Sequence, residues 1–276
     1  MRPAEVVRRG ARYLERHGMQ SPLADAEQLL RAVLGTDRAG LATRAEPLSP
    51  AEAKAYGRAL CRRCAGTPLQ HLTGEQGFRR LVLAVRPGVF VPRPETELLV
   101  EAGLEVCAED APLVADVGTG TGAVALAVKD ERPGATVWAT DVSHEAAALA
   151  RENASRLGLD IQVCEGDLLV PLPPALRGSF SLVLSNPPYV SAEELRGAPA
   201  EVLADPRRAL EGDPELTRRL FGQAHGWLRP GGHVAVEIGE TQADAVRALA
   251  ADGGFEEVRV RQDLNGRDRV VVARRP

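Results

Sequence analysis

Cysteines and long apolar runs are scarce in this sequence, and each shortage excludes a class of protein. Four cysteines in 276 residues are too few for a disulfide framework. The longest apolar runs, such as LVLAV and AVALAV, are too short to cross a bilayer. The charged opening MRPAEVVRRGARYLERHG is unlike a secretory signal. We therefore expect a cytoplasmic protein without a membrane-spanning segment.

A metal centre is not predicted either. Cys61 and Cys64 have the spacing of half a zinc site, but a structural zinc ion needs four ligands. Cys107 and Cys164 are isolated, and the five histidines are scattered along the chain. We interpret the Cys61–Cys64 pair as incidental.

Lysine is also rare, since 32 of the 34 basic residues are arginines. The charge is uneven: residues 1–92 hold 15 basic and 8 acidic residues, a net of +7, and the remainder holds 19 and 30, a net of −11. A basic residue range 1–92 (the basic front) followed by an acidic remainder favours two modules. The first module would then attract its partner through charge. A solvated, arginine-rich surface explains the same numbers.

The amino-terminal part of the chain has helical periodicity. Apolar residues recur at helical spacing through about residue 65, and Ser21-Pro22 and Ser49-Pro50 each supply a cap followed by proline. We predict a helical bundle over residues 1–66. Short β-type runs follow, and they predict a hairpin linker over residues 67–92 with its turn at Arg86-Pro87-Gly88.

From Ala111 onward, strand and helix patterns alternate. Five β runs separated by helical segments predict an α/β fold with a doubly wound, mainly parallel sheet. The last two β runs flank Asn265-Gly266, a dipeptide that favours a tight hairpin. The final strand should therefore run antiparallel to its neighbour.

A glycine-rich segment, DVGTGTGA, lies between the first of these strands and its helix. Glycines there allow sharp turns and let a ligand approach bare backbone at a helix N-terminus. Asp141, at the end of the next strand, can accept both hydroxyls of a ribose. The pattern predicts an adenosine-bearing cofactor, a dinucleotide included, without choosing among them. The candidate cofactor residues of the segment are Asp116, Gly118, Thr119, Gly120, Thr121 and Gly122.

Asp167 and Leu168 follow the third strand and could meet an adenine at the same crevice. An exposed aspartate in a turn is the more common case, so this signal is weak by itself.

The fourth strand ends abruptly in Asn186-Pro187-Pro188-Tyr189. Two prolines remove two N–H donors and push the preceding residue into extended geometry. The Asn186 side-chain oxygen and the Pro187 carbonyl are then two rigid acceptors, which suit the two N–H groups of a planar amine or amide. Tyr189 offers a face on which that planar group can stack.

Together, DVGTGTG, Asp141 and SNPPY resemble a class I S-adenosylmethionine-dependent methyltransferase that methylates nitrogen. NPPY is shared by adenine-N6 DNA methyltransferases and by protein glutamine-N5 methyltransferases. The segments PLQHLTGEQGF, FVPRPETELLVE, EVLADPRRALEGD and DLNGRDRVVVAR are similar to the family that methylates the Gly-Gly-Gln glutamine of peptide chain release factors. The resemblance runs from about Pro3 to Arg274. It departs at Asp205, where the family usually has glutamate after an aromatic residue, and at Leu168, often aromatic.

This resemblance implies a seven-stranded methyltransferase domain over residues 93–276, S-adenosylmethionine as cofactor and a substrate-docking role for residues 1–66. It also implies that Asn186, Pro187 and Tyr189 act in catalysis, that they contact the substrate together with Pro188 and Arg93, and that Asn186 reaches the cofactor. A monomer without stable nucleic-acid binding is expected.

Three other activities share some of these motifs. A glutamine methyltransferase acting on a ribosomal protein would have nearly all of them. A DNA adenine methyltransferase fits NPPY and the basic front, but the front has no recognition-helix pattern. An NAD(P) oxidoreductase fits the glycines and Asp141 but does not account for NPPY.

Overall fold

The computed structural model describes residues 2–276, which divide into two compact units. The first unit contains the chain up to Glu75 together with Val85–Pro87 and Pro199–Ala204. The second unit contains Gln76–Ala84, Gly88–Ala198 and Asp205–Pro276.

The first unit is helical, as the periodicity predicts. Its helices are α1 (Pro3–Arg16), α2 (Pro22–Leu34), α3 (Arg38–Thr43), α4 (Pro50–Cys64), α5 (Leu69–Thr73) and α10 (Ala200–Leu203). Leu14, Leu29 and Leu30 are almost fully buried in its core. The predicted cap at Ser49 is confirmed, because its side chain accepts from the Glu52 backbone N–H while Glu52 accepts from the Ser49 N–H. Apolar burial and capping therefore act together here.

A buried ion pair also belongs to the first unit. Arg63 Nε donates to Asp25 Oδ2 over 2.7 Å, and both side chains are less than 10% exposed. A second nitrogen of Arg63 pairs with Glu201, which lies on α10. Arg63 and its two acidic partners therefore connect α2, α4 and α10.

The second unit is built on a seven-stranded sheet. Its strands are β3 (Leu113–Val117), β4 (Thr136–Asp141), β5 (Gln162–Glu165), β6 (Phe180–Ser185), β7 (Leu228–Glu237), β8 (Glu256–Gln262) and β9 (Asp268–Arg274). Their order in the sheet is β5-β4-β3-β6-β7-β9-β8. The first five strands are parallel, whereas β9 is antiparallel to both β7 and β8. The doubly wound sheet and its antiparallel terminal hairpin are thereby confirmed.

Helices line both faces of this sheet. The helices of the second unit are α6 (Glu97–Val106), α7 (Ala123–Glu131), α8 (His144–Leu157), α9 (Ala192–Arg196), α11 (Arg207–Leu210), α12 (Pro214–Trp227) and α13 (Ala243–Asp252), with 3-10 turns at Pro94–Thr96 and Pro174–Leu176. One apolar cluster packs α6 and α7 on one face, and a second packs α12 and α13 on the other. Burial on both faces explains why β6 reads as a continuous apolar run, since every one of its residues is buried.

A two-stranded hairpin lies within residues 67–92, but its turn is not at the predicted Arg86-Pro87-Gly88. Strands β1 (Glu75–Phe78) and β2 (Leu81–Ala84) pair across Arg79-Arg80, and Arg86-Pro87-Gly88 lies after both of them. Arg79 adopts a positive φ of 50°, a conformation that sequence patterns do not associate with arginine. Its backbone N–H donates to Glu97 Oε1 over 2.8 Å, and its guanidinium pairs with Glu131. These tertiary partners hold the turn.

The carboxyl ends of β3, β4 and β6 lie at one edge of the sheet, because the three strands are parallel neighbours. The strand-end motifs of the sequence therefore meet at one crevice. Among the described residues, no helix combines the length and apolar character needed to cross a membrane.

Candidate active site

The glycine loop after β3 has an open backbone surface. Gly118 and Gly120 have φ values of 73° and 57°, in the left-handed region that favours glycine. A Cβ built at either position would meet no heavy atom within 4 Å. The N–H groups of Gly118 and Thr119 both donate to the Thr140 carbonyl over 2.9 Å, which ties the loop to β4. The loop thus offers bare main chain beside the sheet edge.

Asp116 stabilises this loop through two hydrogen bonds. Its Oδ2 accepts from the Thr119 hydroxyl over 2.5 Å and from the Ala125 N–H over 3.1 Å. Burial raises the pKa of Asp116 to about 7, and these two donors partly oppose the rise. The contacts stabilise the turn from β3 into α7. A direct contact of Asp116 with a cofactor stays a prediction.

Asp141 joins the glycine loop to the next helix. Its Oδ2 accepts from the Gly120 N–H over 2.9 Å, and its Oδ1 accepts from the Ser143 N–H over 2.8 Å. Burial raises the pKa of Asp141, and the two N–H donors and Arg208 oppose the rise. Each carboxylate oxygen has a further lone pair, so the side chain can still accept from a diol.

Asp167 and Leu168 lie beside Asp141, since the Gly166 N–H donates to the Asp141 carbonyl over 2.8 Å. Asp167 is half-exposed and pairs with Arg219. Leu168 has a φ of 49° and packs in part against the apolar cluster under α12. Their predicted adenine contacts remain a prediction.

Asn186 follows β6 directly and is held by a side-chain contact. Its Nδ2 donates to the Thr96 hydroxyl over 3.1 Å, so Oδ1 is the branch of the amide left as an acceptor. The preceding Ser185 hydroxyl donates to the Val117 carbonyl over 2.8 Å, which joins the ends of β6 and β3. The asparagine and the glycine loop are thus anchored to the same pair of strand ends.

Tyr189 is held by Glu237 at the end of β7 and by Gln242 just before α13. Its hydroxyl donates to Glu237 Oε1 over 3.1 Å, and its carbonyl accepts from Gln242 Nε2 over 2.8 Å. Burial raises the pKa of the Tyr189 hydroxyl, and the neighbouring Glu237 raises it further. Burial likewise raises the pKa of Glu237 to about 7. Pro187 is buried and Pro188 half-buried between these anchors.

Arg93 has an internal partner, since it pairs with the buried carboxylate of Asp205. The other oxygen of Asp205 accepts from the Val91 N–H over 3.2 Å. Asp205 is a position where the sequence departs from the related family, and the shorter acid here still forms an ion pair. The substrate contact predicted for Arg93 stays a prediction.

Thr96, Glu237 and Gln242 were missed by the sequence reasoning. Thr96 lies in the segment PRPETE, which indicates the family but not the role of this threonine. Glu237 is the acidic residue that interrupts the apolar run VAVEIG, and an acid at the end of a buried strand is a usable signal. Gln242 lies in a loop and leaves no comparable pattern.

Solved structures share the fold of a large part of this chain. A ribosomal protein L11 methylase from Lactobacillus delbrueckii subsp. bulgaricus is 26% identical with a TM-score of 0.51, over 70% of this chain and 84% of that one. A T. Thermophilus 16S rRNA N2 G1207 methyltransferase, solved with AdoMet and guanosine, is 20% identical with a TM-score of 0.54, over 73% of this chain and 50% of that one.

The sheet order and the glycine loop define a class I methyltransferase. Residues 5–74 match the PrmC N-terminal domain family, and residues 82–217 match the methyltransferase small domain family. Release factor glutamine methyltransferases from Moorella thermoacetica and Deinococcus radiodurans are 43% and 42% identical, over 98% and 100% of this chain and 96% and 99% of theirs. The chain belongs to the release factor glutamine methyltransferase family.

Proposed function

We propose that this protein transfers a methyl group from S-adenosylmethionine to the side-chain amide nitrogen, N5, of the glutamine in the Gly-Gly-Gln motif of peptide chain release factors. The observation that carries the proposal is the anchored Asn186, which presents an acceptor at the edge of the crevice that also holds the glycine loop. The full-length similarity to release factor glutamine methyltransferases supports the choice of substrate.

The crevice fits S-adenosylmethionine. The open surface above Gly118 and Gly120 can receive the amino-acid part of the cofactor against main chain. Asp141 has the acceptor chemistry that a ribose diol requires. When bound, the cofactor supplies a methyl group on a positively charged sulfur, which is already activated for transfer. The protein therefore has to position the two reactants rather than activate the donor.

An amide nitrogen is a poor nucleophile because its lone pair is delocalised into the carbonyl. In the proposed mechanism the two N–H groups of the glutamine donate to Asn186 Oδ1 and to the Pro187 carbonyl, and the amide plane stacks on Tyr189. These acceptors direct the nitrogen toward the methyl and stabilise the positive charge that develops on it. The N–C bond forms as the S–C bond breaks, and the nitrogen then loses a proton to water.

Mass spectrometry of a purified release factor tests this function. The factor is incubated with the protein and S-adenosylmethionine, and peptide mapping should find one added methyl on the Gly-Gly-Gln glutamine. The control is the same factor with that glutamine replaced by alanine, which should remain unmodified. Methyl transfer to a ribosomal protein or to DNA but not to the factor would contradict the proposal and favour one of the other activities.

We further propose that the helical unit docks the protein substrate. A cleft of about 620 Å³ lies between α1 and α4, with Arg12 and Arg16 on its wall and Tyr56 and Leu60 among its lining. Such a mixture of cations and apolar side chains suits an acidic, partly apolar protein surface. Release factors act in translation, so we place the reaction in the cytoplasm and expect a monomer to carry it out.

Charge reversal tests the docking role. The double variant R12E/R16E should raise KM for an intact release factor about tenfold through lost charge attraction. A short peptide containing Gly-Gly-Gln should be methylated as before. The matched control R38E/R58E makes the same change in net charge at residues that do not line the cleft. Equal KM values for R12E/R16E and this control would contradict the docking role.

A further inference from the structure

Glu237 is a buried carboxylate next to the residues proposed to orient the glutamine. Only 1% of its surface is exposed. Its Oε1 accepts from the Tyr189 hydroxyl, whereas Oε2 is buried and has no partner of normal hydrogen-bond geometry in the described part of the chain. A buried carboxylate oxygen without a donor is costly. A neighbouring hydroxyl that turns its proton toward Oε2 would remove this cost.

We take the Thr96 hydroxyl as that neighbour, because it lowers the pKa of Glu237 against the effect of burial. The same hydroxyl oxygen accepts from Asn186 Nδ2 over 3.1 Å. A hydroxyl has one rotatable proton and two lone pairs, so Thr96 can accept from Asn186 and donate to Glu237 at once.

This arrangement gives the hydrogen bonds one direction. An ionised carboxylate can only accept, so Thr96 must donate to it and must then accept from Asn186. Asn186 is thereby required to face Thr96 with its nitrogen and to leave its oxygen for the substrate. A neutral group at position 237 could donate to Thr96, and Thr96 would then be free to donate to a reversed Asn186 amide.

The charged and titratable groups around Glu237 are few. Tyr189 donates to it, Glu95 raises its pKa, and Arg269 lowers it. Arg269 is itself paired with Asp263 over 3.1 Å. Burial outweighs these neighbours and keeps the pKa of Glu237 near 7.

We propose that Glu237 is a positioning residue: its ionised carboxylate, acting through Thr96 and on Tyr189, fixes the orientation of the Asn186 amide and of the Tyr189 ring that receive the glutamine. The inference rests on the proposed function for its role in the reaction. The polarity of the hydrogen bonds can be measured without it.

The first test is the isosteric variant E237Q, whose side chain can donate where the carboxylate cannot. Its kcat at about pH 8 should fall about tenfold or more because the acceptor is misoriented, with an unchanged Kd for S-adenosylmethionine. Wild-type kcat should decline below about pH 7, and E237Q should lack this acidic limb. The control E240Q makes the same chemical change at an exposed glutamate and should behave as wild type. Wild-type kcat in E237Q, or an acidic limb that persists in it, would overturn the proposal.

A second pair of variants addresses Thr96. T96V removes the hydroxyl at nearly constant volume and should lower kcat as E237Q does, with no further loss in the double variant. T96S retains the hydroxyl and should restore most of the rate. Equal rates in T96V and wild type would overturn the proposal.

A spectroscopic test does not depend on the substrate. The side-chain N–H resonances of Asn186, assigned by comparison with N186A, should shift with an apparent pKa near 7 in wild type and should not titrate in E237Q. If the Asn186 resonances of wild type do not shift with pH, the proposal that Glu237 orients the Asn186 amide is wrong. Failure of methyl transfer by wild type together with a normal titration would instead contradict the proposed function alone.

Discussion

Gly212 lies against the backbone of Tyr189. A Cβ at position 212 would be 2.8 Å from the Tyr189 carbonyl carbon and 2.9 Å from its Cα. The Gly212 N–H donates to the Val190 carbonyl over 2.9 Å, and the Val190 N–H donates to the Leu210 carbonyl over 2.8 Å. The segment after α11 therefore supports the NPPY turn through main-chain contacts that only glycine permits.

The variant G212A should displace the NPPY turn. Because the contacting atoms are backbone, the neighbour cannot rotate away, and a shift of about 1 Å can cost about 100-fold in rate. We expect kcat for a release factor to fall by that order, with S-adenosylmethionine binding retained. Calorimetry and steady-state kinetics check this. G222A, in a helix where a Cβ meets nothing within 4 Å, is the control. Full activity in G212A would show that the turn tolerates displacement.

Removal of the Asn186 side chain should slow methyl transfer. The loss of one acceptor that stabilises developing charge should raise the barrier by about 3 kcal/mol, by analogy with an oxyanion-hole donor. Single-turnover kinetics of N186A should show this loss. N186D keeps a side-chain acceptor but lacks the Nδ2 contact with Thr96, so comparing the two variants separates the effects of the acceptor and of that contact. Activity of N186A within about threefold of wild type would exclude the role.

Asp141 should matter for cofactor affinity rather than for the chemical step. D141A removes the acceptor of the Gly120 and Ser143 N–H groups together with any acceptor for the ribose. Hydrogen bonds to a charged group contribute about 1.5–3 kcal/mol, so Kd for S-adenosylmethionine should rise about 10- to 150-fold. Titration calorimetry measures this. D167N, at a half-exposed carboxylate beside the same strand ends, tests whether the weaker candidate contributes at all.

Asp116 should make the folded state less stable as pH rises. Its pKa is 3.8 as an unperturbed group and about 7 in the folded protein, so the folded state holds a proton that the unfolded state has lost between these values. This contribution is complete below the lower value and disappears as pH rises through the higher one. Between pH 5 and pH 8, the loss of this contribution should lower the free energy of unfolding by about 2–3 kcal/mol.

Urea unfolding at pH 5 and pH 8 checks this expectation. The free energy of unfolding of wild type should fall more over this interval than that of D116N, since the amide cannot titrate and still accepts from Thr119. The difference between the two proteins isolates Asp116 from other titrating groups, such as His233, whose pKa is lowered by burial. Parallel pH dependences would contradict the assignment.

The ion pair between Asp25 and Arg63 should be essential to the helical unit. R63M leaves a buried carboxylate without its partner, a change that costs about 3–5 kcal/mol. D25N/R63M removes both charges and should recover much of this loss. Thermal unfolding followed by circular dichroism compares the three proteins. A double variant as unstable as R63M would show that packing around Arg63, and not the charge, is decisive.

Short-range signals in the sequence were enough to predict the sheet, its terminal hairpin and the positions of two site loops. The alternation of strand and helix predicted the parallel sheet, Asn265-Gly266 predicted the terminal hairpin, and the glycines and prolines located the loop and the NPPY turn. These features depend on the backbone freedom of single residues and on periodicity, which are properties of short segments. The hairpin turn at Arg79-Arg80 was not predicted, because the positive φ of Arg79 is stabilised by contacts with Glu97 and Glu131, which are distant in sequence.

The tertiary structure alone decided which side chains support the site. Thr96 comes from one segment and Glu237 and Gln242 from another, and their contacts with Asn186 and Tyr189 exist only when the ends of β6 and β7 are adjacent. The pairing of Arg93 with Asp205 spans 112 residues in the same way. Hydrogen bonds and ion pairs between distant segments depend on strand order and burial, and neither leaves a local pattern in the chain.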